Sequence, residues 1–448
     1  MNQWMDAEHH AQMAQQFLEA GEWRKALNAL RAALDLSPHR TEWQLGLAMT
    51  HEALGEPLQA ADAYQRAIDI GADDLETQLR LTHNLIQAGH CLRAIARLEV
   101  ITATIPSCEE AYCQQILAYA KLGDHAMARV MFDIVMQTDE HNARAYDFMA
   151  HSFAARQQFD IALRLWEKTY ELEPAYPDVL ANLGQAYVKV GRLGRARKLL
   201  RRHLRVQPED VDAMVVLGRL LIAMDRHAEA DETFRIAAEL SPSSAPVHLA
   251  LGELAMLHGH LDAAEARFRR ALSLAAGCAG ARLGLAMIAW DEGQRQEAKS
   301  LLIAEAACDG HSPAQLLKLC GMMMRVGLAH RAAGVLTAAI ECDNEPVFVQ
   351  RRDLAAAHHH RSAAMFELGQ VDAGIADARK TLRLERTHEM AMHNLVLAYL
   401  DRGSLWHAGV VLRRYRKSRP ATPQMCRLAW RWRWAMRRWR LRRLVGIK

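Results

Sequence analysis

Ten positions of this chain fall on an unbroken 34-residue ladder: Gly21, Gly55, Gly89, Gly123, Gln157, Gly191, Asp225, Gly259, Gly293 and Gly327. Eight of the ten are glycine. The ladder then steps 42 residues to Gly369, eight more than its period, and resumes at Gly403, so twelve copies result. A length of 448 residues would otherwise suggest two or three globular domains. A fixed period of this size overrides that expectation, because it signals one small supersecondary unit stacked many times.

The rest of each copy reads as two helices. Glycine at the rung accepts positive φ and so supplies a tight turn. Five residues later stands a small residue, such as Ala26, Ala60, Ala94, Ala128 or Ala162, where two helices must cross closely. Nine residues after the rung the side chain is usually large (Tyr64, Phe132, Trp166, Phe234, Phe268), and Leu-Gly pairs such as Leu217-Gly218 and Leu251-Gly252 precede the rung. Large is thereby set against small across a helix pair. Pro38, Pro106, Pro174, Pro208, Pro242 and Pro420 lie seventeen residues after the rung and stop the second helix, since proline lacks the amide and restricts the residue before it.

This pattern resembles the tetratricopeptide repeat over roughly residues 7–422. The resemblance implies an all-α fold, a right-handed superhelical α-solenoid of helix-turn-helix repeats whose concave face binds a peptide or helix of a protein partner. It also implies that the groove is lined by the first helix of each repeat, 13, 10, 6, 3 and 2 residues before the rung. In repeats eight to ten this register selects Leu249, Glu253, Met256, Leu257, Leu283, Met287, Trp290, Leu317, Met324 and Arg325. Methionine adapts its shape to a ligand and tryptophan offers area at small entropic cost, which suits an apolar or helical segment; the alternative is that several of them pack between helices. Repeats three to six carry a polar set that includes Glu76, His83, Glu110, Lys121, Arg144 and Asp147. Chaperone-binding members of the family clamp a C-terminal carboxylate with Lys and Asn at the tenth and sixth positions before the rung. No repeat here has that pair, so no such clamp is expected.

Departures from the pattern concentrate in the eleventh repeat. Asn344 and Arg386 replace terminal prolines, and Gly374 stands where alanine is expected. The eight extra residues lie between Glu345 and Leu354, about two helical turns. They predict a first helix lengthened at its N-terminal end, starting near Val347. The expected organisation is therefore repeats one to ten over 7–346, repeats eleven and twelve over 347–422, and a helical tail over 423–448.

That tail changes the character of the chain. From Gly409 onward there are 14 Lys and Arg and no acidic residue, so the preceding 408 residues carry 42 basic against 52 acidic groups. An acidic body ends in a basic tail. On a helix, Leu428, Trp432, Ala435, Met436 and Trp439 share one face, Arg427, Arg431, Arg438 and Arg442 gather on the opposite side, and Trp430, Trp434 and Leu441 make a second apolar stripe; Trp430, Trp432, Trp434, Trp439, Arg431, Arg433, Arg437 and Arg438 are the candidate membrane or partner contacts. The tail fits a cap over the last repeat, an anchor on an anionic membrane surface, or a segment folding back onto the acidic body. Nucleic acid is disfavoured, because the body continues no basic surface.

Catalytic signatures are missing. There is no GK pair for a phosphate-binding loop, no HExxH and no GxSxG. His358, His359 and His360 are consecutive and point in different directions on a helix, and the basic run from Arg192 to Arg205 reads as a solvated second-helix face. With the repeats assigned, only 26 residues are left over. The expectation is a non-enzymatic scaffold or adaptor without cofactor or metal. The eight scattered cysteines fit reduced apolar fillers, and no signal peptide or membrane span is legible, so a cytoplasmic protein is expected, peripheral at the membrane if the tail is an anchor.

Overall fold

The computed structural model describes residues 2–308, 310–342, 347–348, 350–418 and 423–444, and within them the side chains of 4–417 and 423–439. Every element among these residues is a helix. Among the described residues twenty-five helices follow one another, mostly as hairpins, and the last is also the longest. Two compact units divide it, 1–199 and 200–448, each formed by stacked hairpins.

The N-terminal unit pairs Asn2–Glu19 with Trp23–Leu36, Thr41–Ala53 with Pro57–Asp69, and Leu75–Gln87 with Cys91–Thr104. Glu109–Lys121 with His125–Thr138, and Ala143–Ala155 with Phe159–Leu172, complete its regular hairpins. Val179–Lys189 follows them, and the boundary between the units falls within Leu193–Val206. In the C-terminal unit the pairs are Val211–Ala223 with His227–Leu240, Ala245–Leu257 with Leu261–Leu274, and Ala281–Asp291 with Arg295–Glu305. Pro313–Arg325 with Ala329–Ile340, Arg351–Glu367 with Val371–Leu384, and Glu389–Asp401 with Leu405–Ser418 follow, and Pro423–Leu444 ends the chain.

Each rung is the left-handed residue that ends a first helix. At Gly55 (φ +71) the amide bonds to the Glu52 carbonyl at 3.0 Å and the next amide reaches back to His51 at 2.9 Å, the paired bonds of a Schellman turn. Gln157 and Asp225, the two rungs that are not glycine, adopt φ of 54° and 60°, and the amides after them, of Gln158 and Arg226, reach back to the Phe153 and Leu221 carbonyls at 2.9 Å. Position in the repeat, not the side chain, dictates this conformation. Second helices stop two residues before proline at Leu36, Thr104, Leu172, Val206 and Leu240. Val371–Leu384 stops at the equivalent place without one.

The cores of the hairpins are made by the large-against-small pairing. Phe234 and Phe268 are fully buried, and a Cβ built on Gly252 would come within 2.6 Å of the Phe268 ring. Gly374 has the same origin: a Cβ there would lie 2.6 Å from the Phe366 ring, so the missing methyl makes room for a phenylalanine. Ser362 adds a 2.8 Å bond from its hydroxyl to the Gly374 carbonyl.

The first helix of repeat eleven has 17 residues against 13 in repeats two, three, four and five. It begins at Arg351, four residues after the expected start at Val347, because Gln350 takes an extended N-cap conformation and Phe348, outside the helix, is buried in the core of repeats nine to eleven. Arg351 caps the carbonyls of Leu384 and Arg383 at 2.8 and 3.0 Å. Asn344 and Pro420 lie outside the described residues.

Candidate partner-binding surfaces

The residues selected in repeats eight to ten separate by depth. Leu249 and Leu283, ten before their rungs, are buried, with 4% of each surface exposed. Leu249 packs with Phe268, Ala281 and Ile288, and Leu283 with Leu302, Leu316 and Leu319. These two belong to the core and not to a binding surface, whereas Leu317 at the same position is half-buried. Met256, Met287, Trp290, Leu317 and Met324 are half-buried, with one side on that core, and Leu257 and Arg325 are exposed. Glu253 is half-buried and lies 3.7 Å from Arg219. The Arg295 guanidinium stands 5.8 Å from the Trp290 ring centroid.

A further concavity lies in repeats eleven and twelve. A cavity of about 750 Å³ is lined by Ala363, Phe366, Glu367, Val371, Asp372, Asn394, Leu397, Ala398, Asp401 and Arg402. Ala363, Phe366 and Glu367 are six, three and two before the rung of repeat eleven, and Leu397 and Asp401 are six and two before that of repeat twelve. The same register, carried two repeats further, selects them. Phe366 and Leu397 supply an apolar floor, while Glu367, Asp372 and Asp401 supply an acidic rim. Arg402 pairs with Asp372, and Arg431 of the C-terminal helix reaches Asp401 at 3.2 Å.

In repeats eleven and twelve the positions ten before the rung are His359 and His393, each with a buried Nδ1 that has no hydrogen-bond partner among the described residues. Burial, then the neighbouring His388 and His360, pulls the His359 pKa down to about 3. His360 and His393 move down for the same leading reason. His358 points the other way, to Asp377 at 3.0 Å, where Arg361 makes a two-pronged ion pair with that carboxylate at 2.7 and 2.9 Å. The triplet thus divides between groove and core and does not converge.

In the N-terminal unit a polar depression of about 640 Å³ gathers Glu76, His83, Glu110 and Arg144 of the expected polar set, together with Glu52, Leu79, Arg80 and Gln114. Its charges are neutralised internally. Glu52 accepts from Tyr64 at 3.0 Å, from Arg80 at 3.3 Å and from Asn84, and Arg144 pairs with Glu110. Lys121 is bound to Gln87 at 3.1 Å. Asp147 leaves the surface: it is buried against the Trp166 indole N–H at 2.9 Å, and desolvation raises its pKa. The basic run from Arg192 to Arg205 is mostly exposed.

The C-terminal helix presents two faces. Met425 and Leu428 are buried with Tyr399, Leu412 and Tyr415 of repeat twelve. Trp432 inserts over Gly409, where a Cβ would meet its ring at 2.9 Å, and its Nε1 donates to the Leu405 carbonyl at 2.9 Å. Trp432 is therefore a docking residue. Trp430, Trp434 and Trp439 are 66%, 49% and 46% exposed, and Arg431, Arg433, Arg437 and Arg438 are exposed.

The family model of the tetratricopeptide repeat matches residues 12–74, 149–205, 181–245 and 249–313, together half of the chain. No curated protein matches. Among solved structures, the APC/C hetero-tetramer Cut9-Hcn1 is similar at 15% identity and a TM-score of 0.48, over 95% of this chain and 96% of that one. Yeast Tom70 is similar at 15% identity and 0.45, over 97% and 96%. A human IFIT1 dimer with m7Gppp-AAAA is similar at 14% identity and 0.49, over 85% and 89%.

Proposed function

The chain belongs to the tetratricopeptide repeat family, a fold that serves protein interaction in general, and from that premise we propose that it is a non-enzymatic scaffold whose C-terminal unit holds an amphipathic helical segment of a partner protein. The observation that carries this reading is the cavity of about 750 Å³ on the groove-lining positions of repeats eleven and twelve. Its apolar floor fits a leucine or aromatic side chain, and Glu367 on its rim fits a lysine or arginine one helical turn away, Asp372 and Asp401 being paired already with Arg402 and Arg431. The half-buried row Met256, Met287, Trp290, Leu317 and Met324 offers a second apolar stretch within the same unit, with Glu253 and Arg325 as its polar edge. No catalytic motif competes for these surfaces.

Selection of helical peptides against the full chain tests this directly. A selected peptide should lose about 30-fold in affinity on Trp290→Ala or on Phe366→Ala, the effect of one tryptophan or aromatic anchor of about 2 kcal/mol. Glu367→Lys should weaken peptides with a basic residue beside the anchor and spare those without. Unchanged binding by all three variants, with folding intact, would sink the groove reading.

A further inference from the structure

Docking of the C-terminal helix sorts its side chains, and the sorted outer face has a chemistry of its own. Met425, Leu428 and Trp432 turn toward repeat twelve. At 100° per residue, Trp430 and Trp434 then lie together on the opposite side, flanked by Arg427 and Arg438 on one edge and Arg433 and Arg437 on the other. The Arg438 guanidinium lies 4.3 Å over the Trp434 ring, which sets charge against the indole face. Arg427, Arg433 and Arg437 make no ion pair among the described residues, and no acidic residue follows Asp401 in the sequence.

We propose that this outer face, centred on Trp430 and Trp434, binds the headgroup region of an anionic phospholipid bilayer. Two neighbouring indoles exposed to water are costly there and settle at the headgroup level, where an apolar ring and a polar N–H are both satisfied. Four surrounding arginines attract lipid phosphates, which are mobile and reach each guanidinium without a prearranged carboxylate. A protein partner would need several placed acidic groups to avoid burying those charges unpaired. An extended nucleic acid would pass next to a body with ten more acidic than basic groups. Insertion across the bilayer is not involved: among the described residues no helix is long and apolar enough to cross. The helix lies on the interface, and its inner face stays on repeat twelve. This proposal stands apart from the groove reading and uses none of the cavity residues.

The test is co-sedimentation of the full chain with extruded vesicles of phosphatidylcholine containing about 30% phosphatidylglycerol, against phosphatidylcholine alone, at about 0.1 and about 0.5 M salt. Expected are binding to the anionic vesicles only, its loss at the higher salt, and a blue shift of tryptophan emission. Arg433→Gln/Arg437→Gln should weaken binding by roughly 25-fold, about fivefold per arginine. Trp430→Ala/Trp434→Ala should abolish the blue shift while helicity and thermal midpoint stay as in the parent. The groove variant Trp290→Ala should bind vesicles normally, so failure of one proposal is separable from failure of the other. Equal binding to neutral vesicles, undiminished binding by both double variants, or displacement of the vesicles by a stoichiometric single-stranded oligonucleotide would overturn the proposal.

Discussion

At the scale of single residues the repeats depend on where a methyl group is absent. Gly252→Ala would push a Cβ into the Phe268 ring, and overpacking of this kind should cost about 1–3 kcal/mol in urea denaturation. Gly334→Ala is the contrasting case. That glycine lies mid-helix and exposed, with nothing within 4 Å of its would-be Cβ, so the same change should stabilise by about 0.5–1 kcal/mol. Asp377 is the opposite kind of residue, valuable for what it holds. It accepts from buried His358 and Arg361, and Asp377→Ala should cost about 3–5 kcal/mol, because a buried guanidinium loses its main counter-charge.

The buried histidines of repeats eleven and twelve make stability depend on pH. His359 has an ordinary pKa of 6.5 when unfolded and about 3 when folded, so between those values the unfolded chain takes a proton that the folded one refuses. Stability from this group is therefore complete above pH 6.5 and is lost as pH falls toward 3, by at most about 1.4 kcal/mol per pH unit. His360 and His393 act in the same direction. His359→Asn should flatten the pH dependence of the C-terminal unit's unfolding midpoint between pH 6.5 and 4, and an unchanged slope would show that the imidazole is solvated.

At the scale of elements the terminal helix is the one whose role depends on its placement. Its sequence offers two tryptophan stripes of similar strength, and only docking on Gly409 separates a structural Trp432 from an exposed Trp430. Trp432→Ala should therefore destabilise by about 2–3 kcal/mol, below the full-burial value because the ring is only half-buried, whereas Trp430→Ala should cost less than about 0.5. Equal costs in thermal denaturation would mean that the helix does not dock. The lengthened helix of repeat eleven shows the same division. Eight surplus residues are visible in the spacing, but the helix uses only four of them, because buried Phe348 holds the preceding backbone outside it.

At the scale of the whole molecule, stacked hairpins touch chiefly their neighbours, so cooperativity is local. Urea unfolding should proceed in more than one transition, and Asp377→Ala should shift only the one that contains repeats eleven and twelve. A single transition moved as a whole, by circular dichroism and tryptophan fluorescence alike, would contradict this.

Turn positions and the stops of the second helices at proline are legible in the sequence. They follow from local chemistry repeated at a fixed spacing: a positive-φ rung, a small residue at the crossing, a proline at the stop. The same register, carried two repeats beyond the residues it selected, falls on five of the ten that line the cavity of repeats eleven and twelve, but it could not tell their depth. Leu249 and Met287 are both apolar and both in register, yet one is core and the other half-exposed. Burial depends on how closely consecutive hairpins approach, and that distance is set by side chains from three helices at once. Only the tertiary structure decided it, as it decided which tryptophans of the tail face the protein and which face outward.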